Sequence, residues 1–383
     1  MKRIGILTYY YGNYNFGGLL QAYALTKVIN RVGQCEAEQI CYRVSRGKQD
    51  ESNSRYKITA LKLVKGICRL PYRMIERYQI NSALVKLKNR KAMVEQWAEK
   101  NIPHSSTIYD RSTIERTNSD YSIFCVGSDQ VWNEHYNDFS YYLDFVERTK
   151  EKFSYGASIC QSVLGESQAR VMSNVLPGYN AVSVRERESA ILLEPIVSAN
   201  VVLDPTLLLE EEEWDELCAK RIIDEKYVFC YFLGNNKEDR ILSTKFAKVK
   251  GLKIVTLPHL SLDYHSQDKH FGDIKLYDAD PSIFLSLIKY SEYICTDSFH
   301  ATVFSNIYRK RFFVFERHGY SAMTARLRDL LDLFDAEQFL CENNDKKSLK
   351  YMLSVDKENF GMNNLRFLKL KDYSYSYFEL VLS

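Results

Sequence analysis

One rhythm runs through this chain twice and leaves few folds open to it: a short apolar run, a polar or glycine-rich turn, then a segment with helical spacing. Residues 4–10 form the first run and YGNYNFGG the turn. LLQAYALTKVINRVG then sets Leu20, Ala24, Val28 and Ile29 at helical spacing before Gly33 ends the helix. CEAEQICY and YSIFCVGSDQVWN read as further strands, the second ending in glycine and polar residues, and KFSYGAS and AVSVRERES add two more. The second half begins again with KYVFCYFLG, a charged helix over 236–250, LKIVTLPH, the proline-opened helix PSIFLSLIKYS, YICTDS, another helix, RFFVFE and a helix over 321–334. Between the halves, Asp204-Pro205 and the acidic run of VVLDPTLLLEEEEW interrupt the pattern. Strands alternating with helices predict an α/β fold with parallel sheets, and 383 residues suffice for two cores. The expected layout is a domain over 1–203 carrying a basic helical insertion at about 55–101, a domain over 204–345, and a helical tail over 346–383. Parallel sheets bind ligands beyond the carboxyl ends of their strands. With two sheets the expected site is the cleft between them, lined by the polar residues that end strands.

Composition narrows the function. A formal net charge of +3 is too small for a molecule that binds nucleic acid through its whole surface, so no nucleic-acid partner is expected. The nine cysteines contain no CxxC pair and sit mostly in apolar runs, where a thiol acts as a small hydrophobe; a reducing compartment fits. The N-terminal apolar stretch is too short for a signal-peptide core, and no run approaches the roughly 20 residues of a membrane span. The expectation is a cytoplasmic protein whose membrane contact, if any, is peripheral at the inner face. From Arg55 to Lys91, eleven basic side chains meet only Glu76 before Glu95, with Ile58, Leu61, Val64 and Cys68 along one side. This segment has two readings: a solvated helical hairpin packed on its domain, or a surface for anionic lipid or a phosphorylated, lipid-linked substrate. Nothing in the sequence fixes an oligomeric state.

Four segments carry polar chemistry at strand ends. In TDSFHATVFS, Asp297 or Ser298 can cap a helix whose free first-turn N–H groups favour an anion. His300 then stands in that exposed first turn, able to transfer a proton near neutral pH or simply to bond a neighbouring loop. SVRERES offers Arg185 and Arg187, which a helix starting at Glu186 would separate; an arginine fork suits carboxylate or phosphate, the alternative being a structural salt bridge to Glu186 or Glu188, which is the favoured reading for Arg187. GSDQVWN supplies Asp129, Gln130 and Asn133 for hydroxyl groups and Trp132 for an apolar sugar face, although Asp129 alone also reads as a helix cap. YGNYNFGGLLQ, with Asn13 and Asn15, lacks the spacing of a nucleotide-phosphate loop. His259, His265 and His270 have no zinc-like spacing, so no metal is expected, and no G-x-S-x-G elbow is present.

Taken in order, YGNYNFGGLLQAYAL, GSDQVWN, SYGAS, SVRERES with VVLDPTLLL, TDSFHATVFS and TARLRDLL resemble the polysaccharide pyruvyl transferase family over residues 1 to 335. The resemblance implies two Rossmann-like domains facing a central cleft in the glycosyltransferase B-type arrangement, the first on the acceptor side and the second on the donor side. It also implies transfer of a pyruvyl group from phosphoenolpyruvate, a co-substrate, to a sugar of a surface polysaccharide or its lipid-linked precursor as a cyclic ketal, with no cofactor. By resemblance, Arg185 and His300 hold the donor; His300 and Asp129 are then the catalytic candidates, with Asp297, Ser298 and Arg326 in donor binding. Asn13, Asn15, Gln130, Trp132 and Asn133 make up the acceptor set. Members of the family often carry arginine two residues before the histidine, where this chain has Ser298, and Arg326 is the residue that would compensate. Two other activities use the same cleft: a glycosyltransferase acting on a nucleotide sugar, and a non-catalytic relative that binds glycan.

Overall fold

The computed structural model describes residues 2–44, 70–134, 138–258, 266–317, 321–342, 346–356 and 365–383. Its strands are β1 (Arg3–Leu7), β2 (Glu36–Tyr42), β3 (His104–Tyr109), β4 (Ile123–Val126), β5 (Glu151–Ser154), β6 (Ser183–Val184), β7 (Asn200–Val201), β8 (Tyr227–Tyr231), β9 (Lys253–Thr256), β10 (Ile274–Lys275), β11 (Tyr293–Thr296), β12 (Arg311–Phe315) and β13 (Leu340–Cys341). The helices are α1 (Phe16–Gly33), α2 (Leu70–Asn101), α3 (Glu166–Val175), α4 (Arg187–Leu193), α5 (Glu211–Asp215), α6 (Lys237–Lys250), α7 (Pro281–Lys289), α8 (Phe299–Ile307), α9 (Ser321–Leu333), α10 (Leu349–Val355) and α11 (Leu365–Leu382).

The first sheet runs β3-β2-β1-β4-β5 and the second β10-β9-β8-β11-β12-β13, with every pairing parallel. β6 and β7 pair with each other and join the end of β5 through an Ala157–Val184 bridge. Helices cover both faces of each sheet, so central strands such as IFCV and YVFCY are buried throughout and can be apolar at every position. Both sheets reverse their strand order at one point, between β1 and β4 and between β8 and β11. The loops leaving the carboxyl ends on either side of such a point diverge and leave a crevice.

The halves share one continuous apolar core that runs from Ile4 to Leu382. Phe16, the first residue of α1, packs 5.4 Å from Phe284 and stacks at 6.3 Å on Tyr231, both in the second half. The tail helix α11 returns to the first sheet. There Tyr377 donates to the Ser154 carbonyl at 2.8 Å, and Phe378 stacks on Tyr155 at 4.2 Å.

Helix α2 corrects one expectation. Residues 55–69 of the basic segment lie outside the described residues, but Arg90 is 6% exposed and ties the halves together. Its guanidinium donates to the carbonyls of Tyr277 (2.6 Å), Pro258 (2.8 Å) and Leu276 (2.9 Å), all in the second half. Burial pulls it down to about 10, so it keeps its charge at neutral pH. Trp97, one helical face along, donates to Ser282 Oγ at 2.8 Å. Arg90 therefore belongs to a strap between the two halves and not to a lipid-facing or solvated surface. Among the described residues no helix is long and apolar enough to cross a membrane, no disulfide forms and no cluster has metal-ligating geometry.

Candidate functional site

The carboxyl-end loops of β1, β4 and β6 meet those of β8 and β11 where the halves touch. Arg185, the first residue past β6, is buried among carboxylates. Its Nε donates to Glu186 Oε1 at 2.9 Å, its Nη1 to Asp204 Oδ2 at 2.7 Å, and its Nη2 lies 3.7 Å from Asp129 Oδ1. Burial alone would pull this guanidinium down, but Glu186, Asp204 and Asp129 outweigh it and hold the group above the ordinary arginine range. Asp204 opens the turn Pro205–Leu207 and accepts from the Thr206 N–H at 3.0 Å and its hydroxyl at 2.5 Å. Burial pushes its carboxyl up, yet His300, Arg185 and Thr206 together hold it well below the usual carboxylate range.

His300 is the second residue of α8 and was expected at an exposed helix start; it is 6% exposed. The reason is tertiary, since the start of α1 closes over it. A Cβ built on Gly17 would lie 2.1 Å from His300 Nδ1, so only a glycine lets the ring sit there. Its Nε2 is 3.6 Å from Asp204 Oδ2, an ion-pair distance too long for a hydrogen bond, and has no hydrogen-bond partner.

Arg326, from α9, is 5% exposed, and its Nε and Nη1 have no hydrogen-bond partner. It shares the Phe299 ring with Arg185: the guanidinium carbons lie 5.5 and 4.3 Å from the ring centroid. Arg185 Nη2 has no hydrogen-bond partner either. Two buried cations thus share one ring and carry three donor atoms without a protein partner, a condition that native interiors relieve with a ligand, an ion or ordered water. Together they make a cradle for an anion with more than one acceptor oxygen.

The other expected residues divide differently. Ser298 caps α8, accepting from the Ala301 N–H at 3.4 Å, and Asp297 accepts from the Leu233 and Gly234 N–H groups at 2.7 Å each while Arg317 donates to its carbonyl at 2.9 Å. Both side chains are engaged in holding loops in place. Asn15 caps α1 through the Gly17 N–H at 3.0 Å, and Asn13 accepts from the Asn15 N–H at 3.0 Å and donates to the Tyr9 carbonyl at 2.7 Å. Asn133 donates to Gln130 Oε1 at 2.9 Å. Trp132 is fully buried, donates to the Tyr141 carbonyl at 3.0 Å and stacks on Tyr142, so it offers no face to a sugar. Arg187 is exposed and lies 4.0 Å from Asp332 Oδ2, as a salt-bridge residue should.

Three positions escaped the sequence reading: Asp204, Phe299 and Gly17. Asp204 had a usable signal, because it is a polar residue following an apolar strand, the rule that singled out Arg185. The other two depend on contacts between the halves.

The family model for polysaccharide pyruvyl transferase matches residues 15–319, a span that takes in Arg185, Asp204 and His300 and ends short of Arg326. No curated protein matches the chain in sequence. Among solved structures, the S. aureus MnaA–UDP co-structure is similar with a TM-score of 0.53 at 11% identity, over 99% of this chain and 98% of that one. The UDP-GlcNAc 2-epimerase from Methanocaldococcus jannaschii gives 0.53 at 12% identity, over 97% and 100%. Its complex with UDP-GlcNAc and UDP gives 0.51 at 11%, again over 97% and 100%. At such identities the likeness shows fold alone: two Rossmann-like domains facing a cleft in the glycosyltransferase B-type arrangement. With four-fifths of its length matched by one family model, the chain belongs to the polysaccharide pyruvyl transferase family.

Proposed function

We propose that this protein transfers the pyruvyl group of phosphoenolpyruvate to two hydroxyls of one sugar, forming a cyclic ketal on a surface polysaccharide or its lipid-linked precursor. The observation that carries the reading is the pair of buried guanidiniums, Arg185 and Arg326, that share the Phe299 ring and carry unpartnered N–H groups. Phosphoenolpyruvate has a carboxylate and a phosphate on one carbon, and two arginine forks answer two such groups. Arg326 takes up the charge that relatives often place where this chain has Ser298.

The chemistry runs in four steps. A proton is added to the methylene carbon of phosphoenolpyruvate, which leaves the neighbouring carbon electrophilic. One sugar hydroxyl attacks that carbon and gives up its proton. The C–O bond to phosphate breaks, and inorganic phosphate leaves. A second hydroxyl then attacks the same carbon and closes the ketal. His300 supplies the first proton, with Asp204 behind it stabilising the charged imidazole, and Asp129 accepts the proton of the attacking hydroxyl. The steps use phosphoenolpyruvate as co-substrate and need no further cofactor.

Phosphate release from phosphoenolpyruvate, measured across a panel of acceptor glycans with product mass spectrometry, tests the reading. Acceptor-dependent release with a product gain matching one pyruvyl group supports it. Thermal stabilisation by UDP-GlcNAc with none by phosphoenolpyruvate would replace it with nucleotide-sugar chemistry.

A further inference from the structure

We propose that a second hollow, on the far side of α1 from the cationic cradle, is a saccharide subsite that seats a sugar of the acceptor next to the one that receives the ketal. The proposal rests on the pyruvyl-transfer reading and adds the place where acceptor is recognised. The hollow has a volume of about 420 Å³ and opens at the carboxyl ends of β1 and β2 beneath α2. That is the size of a small-ligand site.

Its lining has the chemistry of carbohydrate recognition. Tyr11 and Tyr14 bring two part-exposed phenol rings from the loop after β1, with the Lys91 ammonium 4.6 Å from the Tyr14 ring centroid, and Glu95 and Glu99 of α2 line it with Arg43 and His104. The Tyr14 hydroxyl donates to Glu95 Oε1 at 2.8 Å, and Glu99 Oε2 lies 3.1 Å from His104 Nε2, so the carboxylates are held at the wall by neighbours. Aromatic rings cover the C–H face of a pyranose, and carboxylates accept from its hydroxyls.

The hollow and the cradle are neighbours. Asn13 stands on the rim of the hollow, and a Cβ built on the buried Gly18 would fall 2.9 Å from Asn13 Nδ2, 3.4 Å from the Tyr9 carbonyl and 3.7 Å from Asp129 Oδ2, so these groups fill the space over Gly18. Asp129 Oδ1 is in turn 3.7 Å from Arg185 Nη2, so Asn13, Gly18 and Asp129 form the wall between the hollow and the cradle.

Saturation-transfer NMR with the methyl glycosides of glucose, galactose, mannose and N-acetylglucosamine tests the subsite directly. At least one of the four should bind the wild-type protein. Tyr11→Ala should weaken that binding by about tenfold, the scale of losing one aromatic contact, while Tyr11→Phe retains it and so controls for folding. Binding by none of the four glycosides, or equal binding by Tyr11→Ala, overturns the subsite. Thermal stabilisation by phosphoenolpyruvate is read in parallel on the same variants and should not change. If phosphoenolpyruvate fails to stabilise any of them while glycoside binding behaves as expected, the pyruvyl-transfer reading falls and the saccharide subsite stands.

Discussion

Asp204→Asn tests how the site is held together. Asp204 is fully buried, and its two oxygens divide the work: Oδ1 takes both Thr206 donors, and Oδ2 takes Arg185 Nη1 at 2.7 Å with His300 Nε2 at 3.6 Å. An asparagine keeps the Oδ1 acceptor but turns an NH₂ toward two other donors. Removing one partner of a buried ion pair costs about 3–5 kcal/mol. Glu186 still holds Arg185 Nε at 2.9 Å, which sets the expectation at the lower end, about 3 kcal/mol. For a chain longer than 250 residues this lowers the melting temperature by roughly 5–10 °C. The pH dependence follows from the direction of the shift. The folded Asp204 carboxyl is held below its ordinary value, so its contribution is present above that value, about 3.9, and is lost as pH falls toward the folded one. The gap between wild type and variant should be constant from about pH 5 to 8 and narrow below about pH 4. Urea unfolding at pH 7 and pH 3.5 measures both. A variant within about 0.5 kcal/mol of wild type at pH 7, or a gap that does not narrow in acid, would refute the ion-pair account.

Three further changes probe neighbouring parts. His300→Gln, chosen over alanine because the ring is buried, should abolish ketal formation while the melting temperature shifts by only a few degrees; retained turnover removes His300 from the chemistry. Gly17→Ala places a methyl group 2.1 Å from His300 Nδ1 and forces the ring to move, so turnover should fall about 100-fold with stabilisation by phosphoenolpyruvate retained. Arg90→Met deprives three second-half carbonyls of a charged donor and should cost about 2–4 kcal/mol after the gain in apolar packing, seen as a lower urea midpoint. An unchanged midpoint would mean that α2 does not strap the halves.

The fold was legible where local chemistry sets it. The charged helix expected over 236–250, the helix opened by Pro281 and the helix after the YGNYNFGG turn are each bounded by residues whose role is short-range, and each appears within a residue or a few of its expected start. Edge strands were not legible. β3, HSSTIY, is half exposed and polar, while β10 and β13 are two residues each, too short to show a period. The basic segment misled because its charge bias is real, yet one of the six of its basic residues that lie on α2, Arg90, finds its carbonyls 168 to 187 positions away. Charge count cannot distinguish a solvated cation from one whose acceptors come from another domain. The site divides along the same line: Arg185 and His300 announce themselves as polar residues at a strand end and a helix start, and Arg326 comes only from the resemblance, while Asp204 reads as punctuation until the fold brings it to Arg185.

What unites these observations is that no half of the molecule contains the site. His300 belongs to the second half but lies against Gly17 of the first; Arg185 belongs to the first but stacks on Phe299 of the second. In a two-domain enzyme such contacts are often made only on closure, at a cost that ligand binding must offset. Here three independent ties hold the halves in contact: Phe16 between Tyr231 and Phe284, the Arg90 and Trp97 bonds of α2, and the return of α11 to the first sheet. The cost of bringing the two arginines and the imidazole together is then met by folding. On the proposed reading the donor meets a preorganised cradle, which is the arrangement that electrostatic catalysis rewards most.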